Sequence, residues 1–183
     1  MRAILFFLLL PVWAVAQSAE IAPEQVTGFA RADLNEDGYD ERYLLVLDDE
    51  GGVDLYIFHG ITGAPSVYIE NFIETTRYPP AITAVGTSHI EVSLHSTDGL
   101  GSHDSSWLIA WDWQAGGYAV VGLGLETIPR MADEPAFSCG MDFLVGGVRT
   151  VTGDGHAVVR EISVPPSPLL APVPEANFSL CYN

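Results

Sequence analysis

Short apolar segments, bounded by turns rich in glycine and aspartate, recur along most of the chain. Residues 89–95 alternate strictly, so Ile90, Val92 and Leu94 are expected on the core side of a strand. Residues 43–47 are continuously apolar, which is typical of a buried strand. No segment sustains the periodicity of an amphipathic helix. The pattern therefore predicts an all-β chain.

The turns between these segments predict hairpins. An acidic turn at 48–52 joins the strand at 43–47 to one at 53–58, and residues 114–117 and 152–155 mark two more hairpins. We expect a single antiparallel sandwich or meander of about nine to eleven short strands, or a propeller-like arrangement. No internal repeat is visible, which disfavours a complete propeller.

The first 16 residues have the order of an export signal. Arg2 precedes an apolar stretch, and Ala14-Val15-Ala16 offers a small-residue cleavage site before Gln17. The apolar stretch is too short to span a bilayer comfortably, and no later segment approaches that length. We therefore expect a periplasmic or secreted protein with no membrane span, in which residues 17–183 form one β-rich domain.

The net charge of the chain limits the classes of partner that are expected. There are 24 acidic and 7 basic residues, for a net charge of −17, and lysine is absent. Such a charge repels the phosphates of nucleic acids and anionic lipid head groups, so neither is an expected partner. It favours cations.

A nine-residue acidic segment, 33–41, has the spacing of a cation-binding loop. Positions 1, 3, 5, 6 and 9 of the segment are Asp33, Asn35, Asp37, Gly38 and Glu41. Alternate residues of a tight loop can direct their oxygens inward to a hard cation such as Ca²⁺, and glycine at position 6 permits the sharp turn. The segment is not an EF-hand, because position 12 is Leu44, where that motif has a bidentate Glu.

This loop and the strand after it resemble the calcium loops of FG-GAP and VCBS-type repeats, over about twenty residues, from Phe29 to Asp48. The resemblance implies calcium bound by the side chains of Asp33, Asn35, Asp37 and Glu41 and by the backbone carbonyl of Tyr39. It also implies extracellular binding or scaffolding rather than catalysis. Position 4 is Glu36, where these repeats often have Gly, and position 9 is Glu41, where Asp is usual.

Two cysteines predict a disulfide that holds the C-terminal tail. Cys139 and Cys181 are the only cysteines, and an exported chain with a small, even number usually oxidises them. Between them, residues 165–174 form a proline-rich segment that is expected to be extended. The bridge would attach the end of this tail to the body of the domain.

Three tryptophans leave two interpretations open. In a regular strand Trp107, Trp111 and Trp113 lie on one side together with Ile109. If the row is exposed, its rings suit sugar stacking, and the protein is a carbohydrate-binding module. If it faces inward, it belongs to the core, which the presence of Ile109 favours.

A polar segment between His95 and Asp104 is the place where catalysis is most plausible. Hydroxyl, imidazole and carboxylate groups close together permit acyl transfer or metal chemistry, so a hydrolase is a further alternative. However, the chain has no nucleophile elbow, HExxH motif or spaced histidine pair, and no catalytic residue is assigned. A glycine-rich hairpin connection is the simpler interpretation.

These observations favour an exported calcium-binding β-domain with a structural, adhesive or recognition role, whose ligand is an unidentified protein or carbohydrate. Binding is favoured over catalysis because the loop resemblance is to binding and scaffolding units.

Overall fold

The computed structural model describes residues 21–74, 77–131, 136–169 and 179–182. The predicted export signal at residues 1–16 and positions 170–174 of the proline-rich segment lie outside these residues. Within the described part, no helix is long and apolar enough to cross a bilayer.

Twelve strands account for the regular structure of the described residues. A 3₁₀ turn at Pro23–Gln25 precedes them. The strands are β1 (Val26–Ala32), β2 (Glu41–Leu47), β3 (Val53–Phe58), β4 (Pro65–Ile73), β5 (Ala81–Val85), β6 (His89–Thr97), β7 (Gly101–Asp112), β8 (Gly117–Pro129), β9 (Phe137–Asp142), β10 (Gly147–Thr152), β11 (Ala157–Glu161) and β12 (Ser167–Pro168).

The strands form two antiparallel sheets. One has four strands in the order β1-β2-β3-β4, and the other has eight, in the order β11-β10-β9-β8-β7-β6-β5 with β12 beside β8. Neighbours in space are neighbours in sequence except for β12, so both sheets are meanders. The predicted antiparallel all-β fold is confirmed. The strand number exceeds the expected range because β12, only two residues long, forms within the proline-rich tail by pairing with β8.

Both sheets contribute to one hydrophobic core. Tyr43 and Leu45 of β2, Ile90 of β6 and Ile109 of β7 are fully buried in the same cluster. Strand β1 of the first sheet lies against β5 of the second, and a β-carbon at Gly28 would be 2.8 Å from Cγ2 of Ile82. A glycine at 28 is therefore needed for this close approach of the two sheets.

The segment expected as a long glycine-rich connection between His95 and Asp104 is mostly strand, which corrects that expectation. Strands β6 and β7 pair residue by residue up to Thr97 and Ser102, with His95 directly opposite Asp104. Cross-strand hydrogen bonds extend the ladder to the end because polar side chains are tolerated on the exposed part of a hairpin.

The disulfide between Cys139 and Cys181 is present, with a Cα–Cα distance of 5.7 Å. Cys139 lies in β9, and both cysteines are buried in the main core. Arg160 of β11 also donates a hydrogen bond to the carbonyl of Leu180. The end of the chain is thus attached to the eight-stranded sheet at two points.

Removing the disulfide should reduce stability because the bridge closes a segment with a sequence separation of 42 residues. We expect the double variant Cys139→Ala/Cys181→Ala to lose up to about 4 kcal/mol of unfolding free energy, measured by urea denaturation. A reductant should lower the wild type to the level of this variant and leave the variant unchanged. A wild type that is insensitive to complete reduction would contradict the expectation.

Candidate metal centre

The acidic segment forms the connection between β1 and β2. These strands pair in register up to Ala32 and Glu41, so residues 33–40 form the loop and Glu41 is the first residue of β2. Antiparallel pairing therefore brings both ends of the predicted motif together. The first ligand position, Asp33, and the last, Glu41, flank the mouth of the same hairpin.

Side-chain oxygens inside the loop are oriented by backbone N–H groups. The Asp33 carboxylate accepts from the N–H of Asp37 (3.0 Å) and from the N–H of Gly38 (2.8 Å). Oδ1 of Asn35 also accepts from the N–H of Asp37 (3.0 Å), and Oδ1 of Asp37 accepts from the N–H of Tyr39 (2.9 Å). The loop is thus held by its own side chains, with the carboxylates turned toward its interior.

Two residues of the loop adopt left-handed backbone conformations. Gly38 has φ of 88°, as expected for the glycine at position 6. Glu36 has φ of 55°, an unfavourable conformation for a residue with a β-carbon. This is position 4, where FG-GAP and VCBS-type loops often have Gly. The backbone at position 4 therefore adopts a conformation that suits glycine, although the residue is Glu36.

The carboxylate of Glu41 is the most informative group of the site. Glu41 is 1 % exposed. Its Oε2 accepts from the N–H of Leu34 (3.1 Å) and from the hydroxyl of Tyr43 (3.4 Å). Among the described residues, no group has hydrogen-bond geometry to its buried Oε1, although the hydroxyl of Tyr118 is near enough for a hydrogen bond with the Glu41 carboxylate to be one cause of the raised pKa of that phenol. An unpaired buried polar atom is costly, more so when it carries charge, and each such atom in a native structure calls for an explanation.

The carboxylate of Glu41 lies close to two others. Ligand oxygens of Asp33, Asp37 and Glu41 all lie within 4.8 Å of one another. Burial raises the pKa of Glu41, and the nearby charges of Asp37 and Asp33 raise it further, against the lowering effect of the hydrogen bond from Leu34. A cation at this point would favour the ionised form and supply the missing partner of Oε1.

Two tyrosines that the sequence analysis did not identify as part of the site lie on the core side of Glu41. Tyr43, read in the sequence only as part of an apolar run, is fully buried and donates its hydroxyl hydrogen to Glu41. Tyr118 of β8 packs edge-on against Tyr43, with ring centroids 6.2 Å apart. Burial raises the pKa of both phenols, and the charge of Glu41 adds to this effect. Both therefore remain neutral, and Tyr43 remains a hydrogen-bond donor to the carboxylate.

The other predicted ligands lie in the loop beside this group. Nδ2 of Asn35 donates to Oδ2 of Asp37 (3.3 Å), which places Asn35 next to the acidic cluster. The carbonyl of Tyr39 approaches the turn between β3 and β4, since a β-carbon at Gly60 would lie 2.7 Å from its oxygen. That Asn35 and the Tyr39 carbonyl are ligands stays a prediction.

The tryptophans divide between core and surface. Trp107 and Trp111 are half-buried and pack against the main core, on the same side of β7 as buried Ile109. Trp113 lies just after the end of β7 and is 64 % exposed. Its ring is inclined by 71° to that of Trp111. The three rings therefore do not form a continuous flat platform.

His95 of β6 and His103 of β7 belong to two separate pairs with carboxylates. Nδ1 of His95 lies 2.6 Å from Oδ1 of Asp104, and Nε2 of His103 lies 3.1 Å from Oδ2 of Asp98. Residues 103 and 104 are adjacent in a strand, so the two pairs lie on opposite faces of the sheet. Nδ1 of His103 is also 3.2 Å from the hydroxyl of Thr127. The groups that suggested a hydrolase thus do not converge on one site.

Comparison with protein-family models, with curated proteins and with solved structures found no match to this chain. The assignment of a function to the site therefore depends on its geometry and on the local loop pattern.

Replacing Glu36 by glycine should stabilise the protein. A left-handed conformation costs a residue with a β-carbon about 1–2 kcal/mol, and glycine avoids this cost. Part of the gain is cancelled because glycine gives the unfolded chain more conformational entropy. We expect Glu36→Gly to raise the unfolding free energy by about 0.5–1 kcal/mol in chelator, measured by urea denaturation. The matched control is Asp40→Gly, in the same loop but outside the left-handed region. That control should be neutral or destabilising. Equal destabilisation by both changes would contradict the strain at Glu36.

Proposed function

We propose that this protein is an exported β-domain that binds calcium in the β1–β2 loop and acts by binding or scaffolding rather than by catalysis. The observation that carries the proposal is the buried Glu41 carboxylate, whose Oε1 has no hydrogen-bond partner among the described residues and which has an oxygen within 4.8 Å of carboxylate oxygens of Asp33 and Asp37. An acidic surface turn without a metal needs no such buried carboxylate.

The donor set supports a hard cation. Carboxylate and amide oxygens are the ligands that Ca²⁺ prefers, and calcium accepts irregular arrangements that Mg²⁺ does not. The group contains Asp33, Asp37 and Glu41, with Asn35 beside it. Without a cation the carboxylates repel one another, so a divalent ion is favoured by charge as well as by geometry.

The proposed extracellular role has two further supports. The loop and its following strand resemble FG-GAP and VCBS-type units, which are extracellular binding or scaffolding modules. The Cys139–Cys181 disulfide fits an oxidising compartment such as the periplasm or the cell exterior. Both agree with an export signal at residues 1–16.

Calcium should stabilise the fold, and the effect should depend on the carboxylates of the group. With an affinity on the order of 10⁻⁴–10⁻³ M, calcium at ten times the Kd should add about 1.4 kcal/mol and raise Tm by about 3–6 °C. We expect Asp37→Ala to abolish this rise while leaving the β-rich fold intact. The measurement is thermal unfolding with calcium and with chelator, together with calorimetric titration.

The matched control is Asp40→Ala, which removes a carboxylate from the same loop but from outside the converging group. This variant should keep the calcium-dependent rise in Tm. If the wild type melts at the same temperature with calcium and with chelator, and calorimetry detects no binding at millimolar calcium, the proposed site does not bind calcium. If Asp40→Ala and Asp37→Ala lose the rise equally, general charge rather than this group holds the ion.

Export should remove the first residues of the chain. We expect the exported protein to begin at Gln17 or within a few residues of it, because the small residues Ala14 and Ala16 fit the requirements of a signal peptidase. Mass analysis of the intact protein from the periplasm or medium measures this. Recovery of the full chain, beginning at Met1, from the cytoplasm would contradict export.

A further inference from the structure

A cleft with a volume of about 580 Å³ opens beside the metal loop. It is lined by Asn35 of that loop, by His59 after β3, and by Trp111, Asp112 and Tyr118 of the β7–β8 hairpin. Its volume is in the range of small-molecule sites, which combine aromatic surface with a few polar groups. We propose that this cleft binds a small organic cation, of the quaternary ammonium or amine class.

Aromatic surface is the first reason. The rings of Trp111 and Tyr118 are in contact, with centroids 5.0 Å apart and planes inclined by 86°. Two nearly perpendicular aromatic rings can surround one compact group from two sides. Cations are attracted to the faces of Trp and Tyr rings within about 6 Å, and organic ammonium groups, which shed water easily, gain most from this attraction.

Charge is the second reason. Among the described residues that line the cleft there is no lysine or arginine, and Asp112 contributes a carboxylate. Oδ1 of Asp112 accepts from the N–H groups of Gln114 (2.8 Å) and Ala115 (3.2 Å), which holds the carboxylate in place. Nδ1 of His59 accepts a hydrogen bond from the N–H of Ile61 (3.1 Å), which orients the ring at the edge of the cleft. With a chain charge of −17, the surroundings attract cations and repel anions.

This inference goes beyond the proposed calcium site, because the cleft does not need an ion in the loop. Of the described residues that line the cleft, Asn35 alone also belongs to the loop. Calcium binding by the loop and cation binding by the cleft can therefore be measured separately, the first by the calcium-dependent rise in Tm and the second by titration with a probe.

The test compares two probes of the same shape. Choline and its uncharged isostere 3,3-dimethylbutan-1-ol are titrated by calorimetry into the mature protein at saturating calcium, so that the loop does not take up the probe. We expect choline to bind about tenfold more tightly than the alcohol. Equal affinities, or no binding of choline at high millimolar concentration, would overturn the proposal. Tighter binding of methyl glucoside than of choline would also overturn it, in favour of a neutral sugar.

Two matched variants locate the binding. Asp112→Asn removes the carboxylate charge while keeping an oxygen for the turn. Asp142→Asn is its control, because Asp142 makes the same turn in another hairpin, accepting at Oδ1 from the N–H groups of Leu144 (2.9 Å) and Val145 (3.1 Å). Both variants change the net charge equally. We expect Asp112→Asn to weaken choline binding about tenfold and Asp142→Asn to leave it unchanged. Equal weakening by both variants would show that overall charge, not the cleft, holds the probe, and would overturn the proposal.

Discussion

The buried carboxylate of Glu41 is the constraint on which the candidate site depends. Glu41 begins β2, so its backbone is part of the sheet while its side chain points back into the loop. Oε2 is paired with Leu34 and Tyr43, but Oε1 is not paired. Burial of a charged group without a partner is expensive, so either a proton or a cation must compensate it. The raised pKa of Glu41 corresponds to compensation by a proton, and the proposed calcium ion would provide compensation by a cation.

The sheet topology brings distant segments to the same end of the molecule. Asn35, His59 and Asp112 are far apart in sequence but line one cleft, because the β1–β2 loop, the segment after β3 and the β7–β8 hairpin meet there. Aromatic packing links this cleft to the metal loop. Tyr43, which bonds Glu41, packs against Tyr118, and Tyr118 packs against Trp111. The two candidate sites are therefore joined by a continuous series of ring contacts.

Strand β8 organises the larger sheet. It pairs with β7 along its whole length, and its other edge is shared between β12 at Ala119–Val120 and β9 at residues 122–127. The disulfide from β9 to Cys181 and the bond from Arg160 to Leu180 attach the chain end to the same sheet. Two residues that line the cleft, Trp111 and Tyr118, thus lie on the β7–β8 hairpin, which has the longest strand pairing in the described part of the chain. A binding surface on such a hairpin is held in place by strand pairing rather than by a mobile loop.

Local patterns were sufficient for part of this structure. Alternation correctly placed Ile90 and Val92 in the core, because the side chains of a strand point to alternate faces whatever the rest of the fold. The disulfide was predicted from the presence of only two cysteines in a chain expected to be exported, and it is present. The loop spacing brought Asp33, Asp37 and Glu41 together because a nine-residue loop closes on itself within one hairpin.

Tertiary structure decided the rest. Sequence periodicity put three tryptophans on one side of β7, but only packing against the core that both sheets form partly buries Trp107 and Trp111, and Trp113 stays exposed because it lies after the strand end. The pairing of His95 with Asp104 depends on the β6–β7 register, and the bond from Tyr43 to Glu41 depends on burial of both. Sequence determines which residues can share a face, whereas the choice of buried face and partner depends on the free energy of contacts between distant segments, which no local pattern contains.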